Sequence, residues 1–168
     1  YAEEVRVGAG SYILDPTVFP TAATLKNNAN LGRLQLTKAT GDLDNDGDFD
    51  EIHALGARSF SVWNSSGSLL YDSGDQFEKI TARNSPTLFN SEGLSTQFDS
   101  RSDNKGPEPE GVAVGMVNQK PYLFVGLERT GDIMVYDITN PTAPIFVQYI
   151  NLPQDLAVEG ILFVPATQ

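Results

Sequence analysis

Five aspartates alternate with other residues through Asp42-Leu-Asp44-Asn-Asp46-Gly47-Asp48-Phe-Asp50, and Glu51 follows directly. Carboxylates packed this densely repel one another unless a cation neutralises them, so the segment dictates a curled loop around a metal rather than a regular element. Side chains at every second position of such a loop converge on one point. Aspartate supplies the hard oxygens that Ca²⁺ takes at about 2.3–2.6 Å. Gly47 permits the curl, because it tolerates backbone angles that a side chain resists. Asp42, Asp44, Asp46, Asp48 and Asp50 are therefore the expected calcium ligands; the alternative is a solvated acidic turn.

The flanks decide the type of loop. An EF-hand needs a helix on each side and a bidentate Glu at the twelfth position, and His53 stands there. Downstream, Glu51-Ile-His-Ala-Leu-Gly56 and Ser59-Phe-Ser-Val-Trp63 carry β-branched and aromatic residues between turn formers, which predicts a loop leading into a β-hairpin. The acidic loop, the following strand and Ser61-Val-Trp-Asn-Ser-Ser-Gly67 resemble the calcium loops of FG-GAP and integrin-type propeller repeats. That resemblance implies a metal that staples a connection between strands of a blade.

The charge balance agrees. Eleven basic and 22 acidic residues among 168 give a formal charge of −11, which disfavours nucleic acid and anionic membranes as partners and invites cations. The absence of cysteine removes disulfides, thiolate metal sites and a cysteine nucleophile. Millimolar calcium outside cells suits the weaker class of calcium module, so a secreted, periplasmic or cell-surface location is expected. No stretch approaches the roughly 18 apolar residues of a membrane span, and no signal peptide is recognisable. The start at Tyr1 reads as a processed or excised piece.

Helix signals are scarce, and the expected fold is all-β. A single domain over 1–168 is expected, with an irregular segment at 1–30 that holds a short strand at Ser11–Leu14. The calcium loop lies in 31–82, among strands at Leu34–Lys38, Ile52–Leu55, Phe60–Asn64 and Leu69–Asp72, with Asn64-Ser-Ser-Gly67 as a turn. Phe77–Ala82 is read as the start of a further strand. A polar stretch from Arg83 to Pro109 is too long for an ordinary connection; it is read as a lid with too few apolar residues to pack by itself. Strands follow at Gly111–Val117, Tyr122–Leu127, Ile133–Asp137, Ile145–Ile150 and Ile161–Val164. Glu110-Gly-Val-Ala-Val114 and Glu159-Gly-Ile-Leu-Phe163 repeat about fifty residues apart, a period of propeller blades. The expected architecture is β-propeller-like, with about two blades plus partial strands of a larger propeller.

The run Phe98-Asp-Ser-Arg-Ser-Asp-Asn-Lys-Gly-Pro-Glu-Pro-Glu-Gly-Val-Ala-Val-Gly115, then Tyr122-Leu-Phe-Val-Gly-Leu-Glu-Arg129 and Gly131-Asp-Ile-Met-Val-Tyr-Asp-Ile-Thr-Asn-Pro-Thr-Ala-Pro144, resembles the choice-of-anchor I family of secreted bacterial proteins. The acidic loop, Gly56-Ala-Arg-Ser-Phe-Ser61 and Tyr71-Asp-Ser-Gly74 fit the same family, and the likeness covers residues 33–165. It implies an exported β-propeller; many members carry an alkaline phosphatase-like label, which does not by itself imply catalysis. The chain is short for the family, since a whole propeller needs at least about four blades.

A second site is expected in the same string. Asp103, Asn104, Glu108 and Glu110 bear oxygens, Lys105 adds an ammonium, and Glu128, Arg129 and Glu159 are placed to join them. If Glu110 and Glu159 begin equivalent inner strands, their carboxylates face the propeller axis, which resembles the calcium-lined channel of β-propeller phytases. That resemblance implies metal-assisted hydrolysis of phosphorylated small molecules, with Lys105 and Arg129 neutralising charge and Glu108 and Glu110 as further catalytic candidates. The alternative is a polar loop whose charges pair internally, Arg101 with Asp99 or Lys105 with Glu108.

Other chemistry falls away. His53, the sole histidine, alternates with Ile52 and Ala54 as an ordinary strand residue. No Gly-x-Ser-x-Gly elbow accompanies it, and Gly8-Ala-Gly10 is too short for a dinucleotide fingerprint. Trp63, Tyr136 and Phe146 read as packing. The first functional reading is a calcium-binding β-propeller module, completed by the remaining blades of a parent chain or by self-association. The competing reading is a metal-dependent phosphoesterase.

Overall fold

A computed structural model describes residues 2–56, 58–151 and 157–166. Its contacts divide the chain into two compact units, Tyr1–Gly56 with Asp103–Lys105, and Ala57–Ser102 with Gly106–Gln168. The chain holds more strand than helix, in small antiparallel sheets of two, two and four strands, with no closed barrel among the described residues.

In the first unit, β1 (Glu4–Arg6) pairs antiparallel with β2 (Gln35–Thr37), Val5 opposite Leu36. Leu36 also bridges Ala54, and Leu14 makes a parallel bridge to Phe49. Val7, Tyr12, Leu14 and Leu36 are buried, with Phe49 and Ile52 packed on them; the Tyr12 and Phe49 rings stack at 4.2 Å. β1 and the short helix α1 (Ala22–Leu25) arise inside the segment expected to be irregular. The strands expected at 11–14 and 52–55 shrink to single bridges, Leu14 to Phe49 and Ala54 to Leu36. The acidic loop therefore leads back to β2 through Ala54 and not into a hairpin.

The second unit opens with the hairpin of β3 (Ser61–Trp63) and β4 (Leu69–Asp72), Val62 opposite Tyr71. Gln76–Asn84 is then a helix, α2, where a strand was expected. Phe77, Ile80 and Thr81 stand at helical spacing; Phe77 and Thr81 are buried, and Ile80 packs on the same core. Asp75 and Lys79, one turn apart, pair at 2.8 Å, and Pro86 prevents continuation.

The main sheet runs in the order β5 (Pro109–Val117), β6 (Lys120–Leu127), β7 (Asp132–Asp137), β8 (Ile145–Asn151), all antiparallel. On one face Leu123, Val125, Leu127, Met134 and Tyr136 meet Phe60 and Phe77. On the other, Gly115 lets the Phe163 ring lie against the strand: a Cβ there would sit 2.3 Å from it. Phe163 also stacks on Phe124 at 5.7 Å. Residues 161–164 keep the expected alternation, Ile161 and Phe163 inward, but join no ladder, so the last expected strand is an extended segment laid across a face.

The stretch after α2 does pack. Two 3₁₀ turns, Pro86–Leu88 and Ser95–Gln97, bring Phe89 and Phe98 together at 6.1 Å, and Asn90 and Ser91 are buried. Backbone bonds from Asp99 N to Phe89 O and from Arg101 N to Asn90 O, both 2.9 Å, tie its limbs. The lid expected from its polarity is instead a folded part of the second unit.

Candidate functional site

The acidic loop is shaped by its own carboxylates. Asp42 accepts from Asn45 N at 2.7 Å and Gly47 N at 3.2 Å, Asp46 from Asp48 N at 3.1 Å, and Asp50 from Leu43 N at 2.8 Å. Gly47 at φ +102 and Asn45 at φ +63 make the left-handed steps that this curl requires. Gly41 closes it, its carbonyl receiving Asp50 N at 2.8 Å and Glu51 N at 3.0 Å.

Two groups of carboxylate oxygens result, each within 4.8 Å of one another: Asp42, Asp44 and Asp50, and Asp15, Asp48 and Asp50. Asp50 belongs to both. Asp46, expected as a ligand, stands in neither and serves the loop backbone. Asp15 was not foreseen, because nothing local marks it. It arrives through the parallel bridge at Leu14, with Asp15 N bonded to Phe49 O at 3.1 Å, a pairing of positions more than thirty residues apart.

The electrostatics of this cluster are those of charges lacking a counterion. Partial desolvation, then the charges of Asp46 and Asp50, raise the Asp44 carboxyl above its ordinary range; desolvation, then Asp46 and Asp15, raise Asp48. Asp15 moves the other way, held down chiefly by the Thr17 amide. Asp48 Oδ1 is buried without a hydrogen-bond partner. An all-oxygen, all-carboxylate donor set of this kind fits a hard divalent cation and offers nothing to a soft one. His53 stays outside it, bonded to Thr40 Oγ1 at 2.6 Å and Glu51 Oε2 at 2.9 Å.

The second expected site divides. Asp103, Asn104 and Lys105 belong to the first unit, where Asp103 meets Arg33 at 2.6 Å and Arg6 at 3.0 Å. Desolvation opposes its ionisation, but the two guanidinium groups outweigh it and hold the Asp103 carboxyl low. Lys105 lays its aliphatic stem along Gly56. Glu159 is exposed.

In the second unit, Glu108 is 7% exposed at φ +49. It receives Arg101 Nη2 at 2.6 Å and Arg129 Nε. Arg101 Nη1 reaches Glu92, and Arg129 Nη1 lies 3.5 Å from Glu92 and 3.2 Å from Glu128. The Glu128 carboxyl also shares hydrogen bonds with Glu108 and Glu110. Burial first, then those carboxyl neighbours, push it up to about 7. Four carboxyl groups here face two guanidinium groups, and the raised proton affinity of Glu128 relieves part of the excess. Both Arg101 and Arg129 are engaged by carboxylates, so much of the node's charge is paired from within. The internal pairing weighed from sequence named different partners: Arg101 takes Glu92 and Glu108, not Asp99.

A mostly β chain with an oxygen-donor cluster in one unit and an arginine-paired carboxylate node in the other is the class that this geometry defines. The chain belongs to the choice-of-anchor I domain family, which matches residues 1–141. It is 40% identical over 123 residues to Gigasin-3a of Magallana gigas, a match over 70% of this chain and 43% of that protein. It is 31% identical over 104 residues to Mesenchyme-specific cell surface glycoprotein of Strongylocentrotus purpuratus, over 54% of this chain and 13% of that protein. The chain thus spans less than half the length of either relative, and neither relative is bacterial. No solved structure matches it.

Proposed function

We propose that this chain is a calcium-binding β module of a secreted or cell-surface protein, in which Asp42, Asp44 and Asp50, with Asp15 and Asp48 beside them, hold Ca²⁺. The observation that carries the reading is the convergence of two carboxylate triads on the shared Asp50. An extracellular setting draws support from the family and from the relative named as a cell surface glycoprotein. Calcium would supply the positive charge that this loop lacks and would brace the connection between Leu14 and Phe49. Isothermal titration with Ca²⁺ tests it: saturable binding abolished by Asp50→Asn is expected, and an absence of heat at millimolar Ca²⁺ would sink it.

The sheet of β5 to β8 supports a propeller blade, since it is a four-stranded antiparallel meander with apolar packing on both faces. Val112, Val114 and Met116 of its edge strand β5 are 60, 62 and 58% exposed. Cover from further strands of a longer chain, or from a second copy, would bury them. Sedimentation of the isolated chain tests this; a monomer at high concentration would argue that β5 needs no cover. A phosphoesterase would need Arg129 or Lys105 free to meet a phosphate. With Arg129 held by Glu108, Glu92 and Glu128, calcium-dependent turnover of p-nitrophenyl phosphate is the result that would revive that reading.

A further inference from the structure

The turn that joins β3 to β4 carries Asn64-Ser65-Ser66, the sole Asn-x-Ser/Thr triplet in the sequence with a middle residue other than proline. Asn140-Pro-Thr142 is blocked by its proline. Residues 63–69 are exposed throughout. The Asn64 Oδ1 atom accepts three bonds, from Ser66 N at 3.0 Å, Ser66 Oγ at 2.7 Å and Ser68 N at 2.8 Å. Its Nδ2 takes part in none of the hydrogen bonds among the described residues. The amide is therefore held by its oxygen with its nitrogen turned to solvent, and a hydroxyl on the amide oxygen acidifies the Nδ2 protons. Gly67 N to Asn64 O and Asn64 N to Ser68 O, both 3.0 Å, fix the turn.

A second observation lies beside it. Trp63 and Leu69, paired across the hairpin, are 58 and 51% exposed, and Trp63 Nε1 is pinned to Ser61 Oγ at 2.8 Å. An exposed aromatic with its polar edge satisfied offers an apolar face of the size that a sugar ring covers.

We propose that Asn64 is an N-glycosylation site, with the first sugar lying over Trp63. The inference goes beyond calcium binding and rests only on the secretory setting of the proposed function. In the transfer, Asn64 Nδ2 attacks the anomeric carbon of a lipid-pyrophosphate-linked oligosaccharide. The new C–N bond forms as the C–O bond to pyrophosphate breaks, lipid pyrophosphate leaves with the electron pair, and Nδ2 gives one proton to a base of the transferase.

The chain, translated behind a cleavable secretory leader with eukaryotic endoplasmic-reticulum microsomes, tests the site independently of calcium. Protease-protected chains should run one discrete step heavier. An N-glycan amidase should remove the step and leave aspartate at position 64, as read by peptide mass. Asn64→Gln and Ser66→Ala should abolish the step, and Ser66→Thr should keep it. Protected chains of unshifted mass would overturn the proposal, as would a step that survives Asn64→Gln.

Discussion

Two acidic clusters in this chain meet the same electrostatic problem in opposite ways. Around Glu108 the carboxylates are answered largely from within, by Arg101 and Arg129, beside a Glu128 carboxyl pushed up to about 7. Around Asp50 five carboxylates gather with no arginine or lysine paired to them among the described residues, and Asp44 and Asp48 are pushed toward protonation instead. A region that carries its own counterions is a structural joint. A region that lacks them is the one for which the proposed function supplies a cation from solution, and the string of Asp103 to Glu110 has less need of one.

The contrast breaks most directly at Arg101. Its replacement by Met leaves Glu108 buried beside one guanidinium instead of two, and removing one partner of a buried pair costs about 3–5 kcal/mol. Denaturant unfolding of Arg101→Met should show a loss of that order that calcium does not restore, while Arg101→Lys should lose less. A variant as stable as the parent would mean that the node contributes nothing.

At the acidic loop the expected effect is smaller and depends on metal. Calcium at about a hundred times its Kd should add roughly 2.7 kcal/mol to the folded state. Asp50→Asn should remove most of that gain because both triads lose a member, and Asp15→Asn should remove part. Asp46→Ala should remove less than Asp50→Asn, since Asp46 joins neither triad. Thermal melting with Ca²⁺ and with EDTA reads all three, and equal gains in Asp50→Asn and the parent would refute the assignment.

The pH response separates the clusters again. Glu128 has its folded value raised to about 7 from 4.5, so the native state holds a proton that the unfolded chain has released between those values. Its contribution is therefore greatest below pH 4.5, declines as pH rises toward 7, and is constant above. Glu128→Gln should flatten that decline and stabilise the chain at pH 8 by about 1–2 kcal/mol relative to the parent. A steeper decline in the variant would place the proton elsewhere.

How far the sequence could be read follows from how local each signal is. The acidic loop, β2, the hairpin of β3 and β4, and all four strands of the main sheet were legible, because alternation, turn residues and ligand spacing are short-range. Asp15 was not, since its place depends on the Leu14 to Phe49 bridge. Helix α2 escapes a strand reading only once Phe77, Ile80 and Thr81 are seen at helical spacing, because a window of six residues is too short for periodicity to decide. For the Asp103 to Glu110 string, ligands and internal pairing both stood open, because a carboxylate bound to a metal and one bound to arginine look alike in sequence. What distinguishes them is the distance to Arg6, Arg33, Arg101 and Arg129.

The stretch from Pro86 to Ser100 gives the smallest expected effect and the sharpest test of the contrast. Were it a lid ordered by metal, calcium would protect it from proteolysis. The fold instead ties it with Phe89 against Phe98, with Asn90 Nδ2 bonded to Glu78 Oε1 at 2.8 Å and Ser102 Oγ at 2.9 Å, and with Arg101 on Glu92. None of these bonds involves a residue of either aspartate triad. Local opening is set by such ties, so cleavage here should proceed at the same rate with calcium and with EDTA. It should rise severalfold in Asn90→Ala, which removes the bonds to Glu78 and Ser102 while leaving Arg101 in place. Calcium-dependent protection that persists in Asp50→Asn would put a metal near Glu108 after all, and the division between an arginine-paired joint and an open cation loop would then fail.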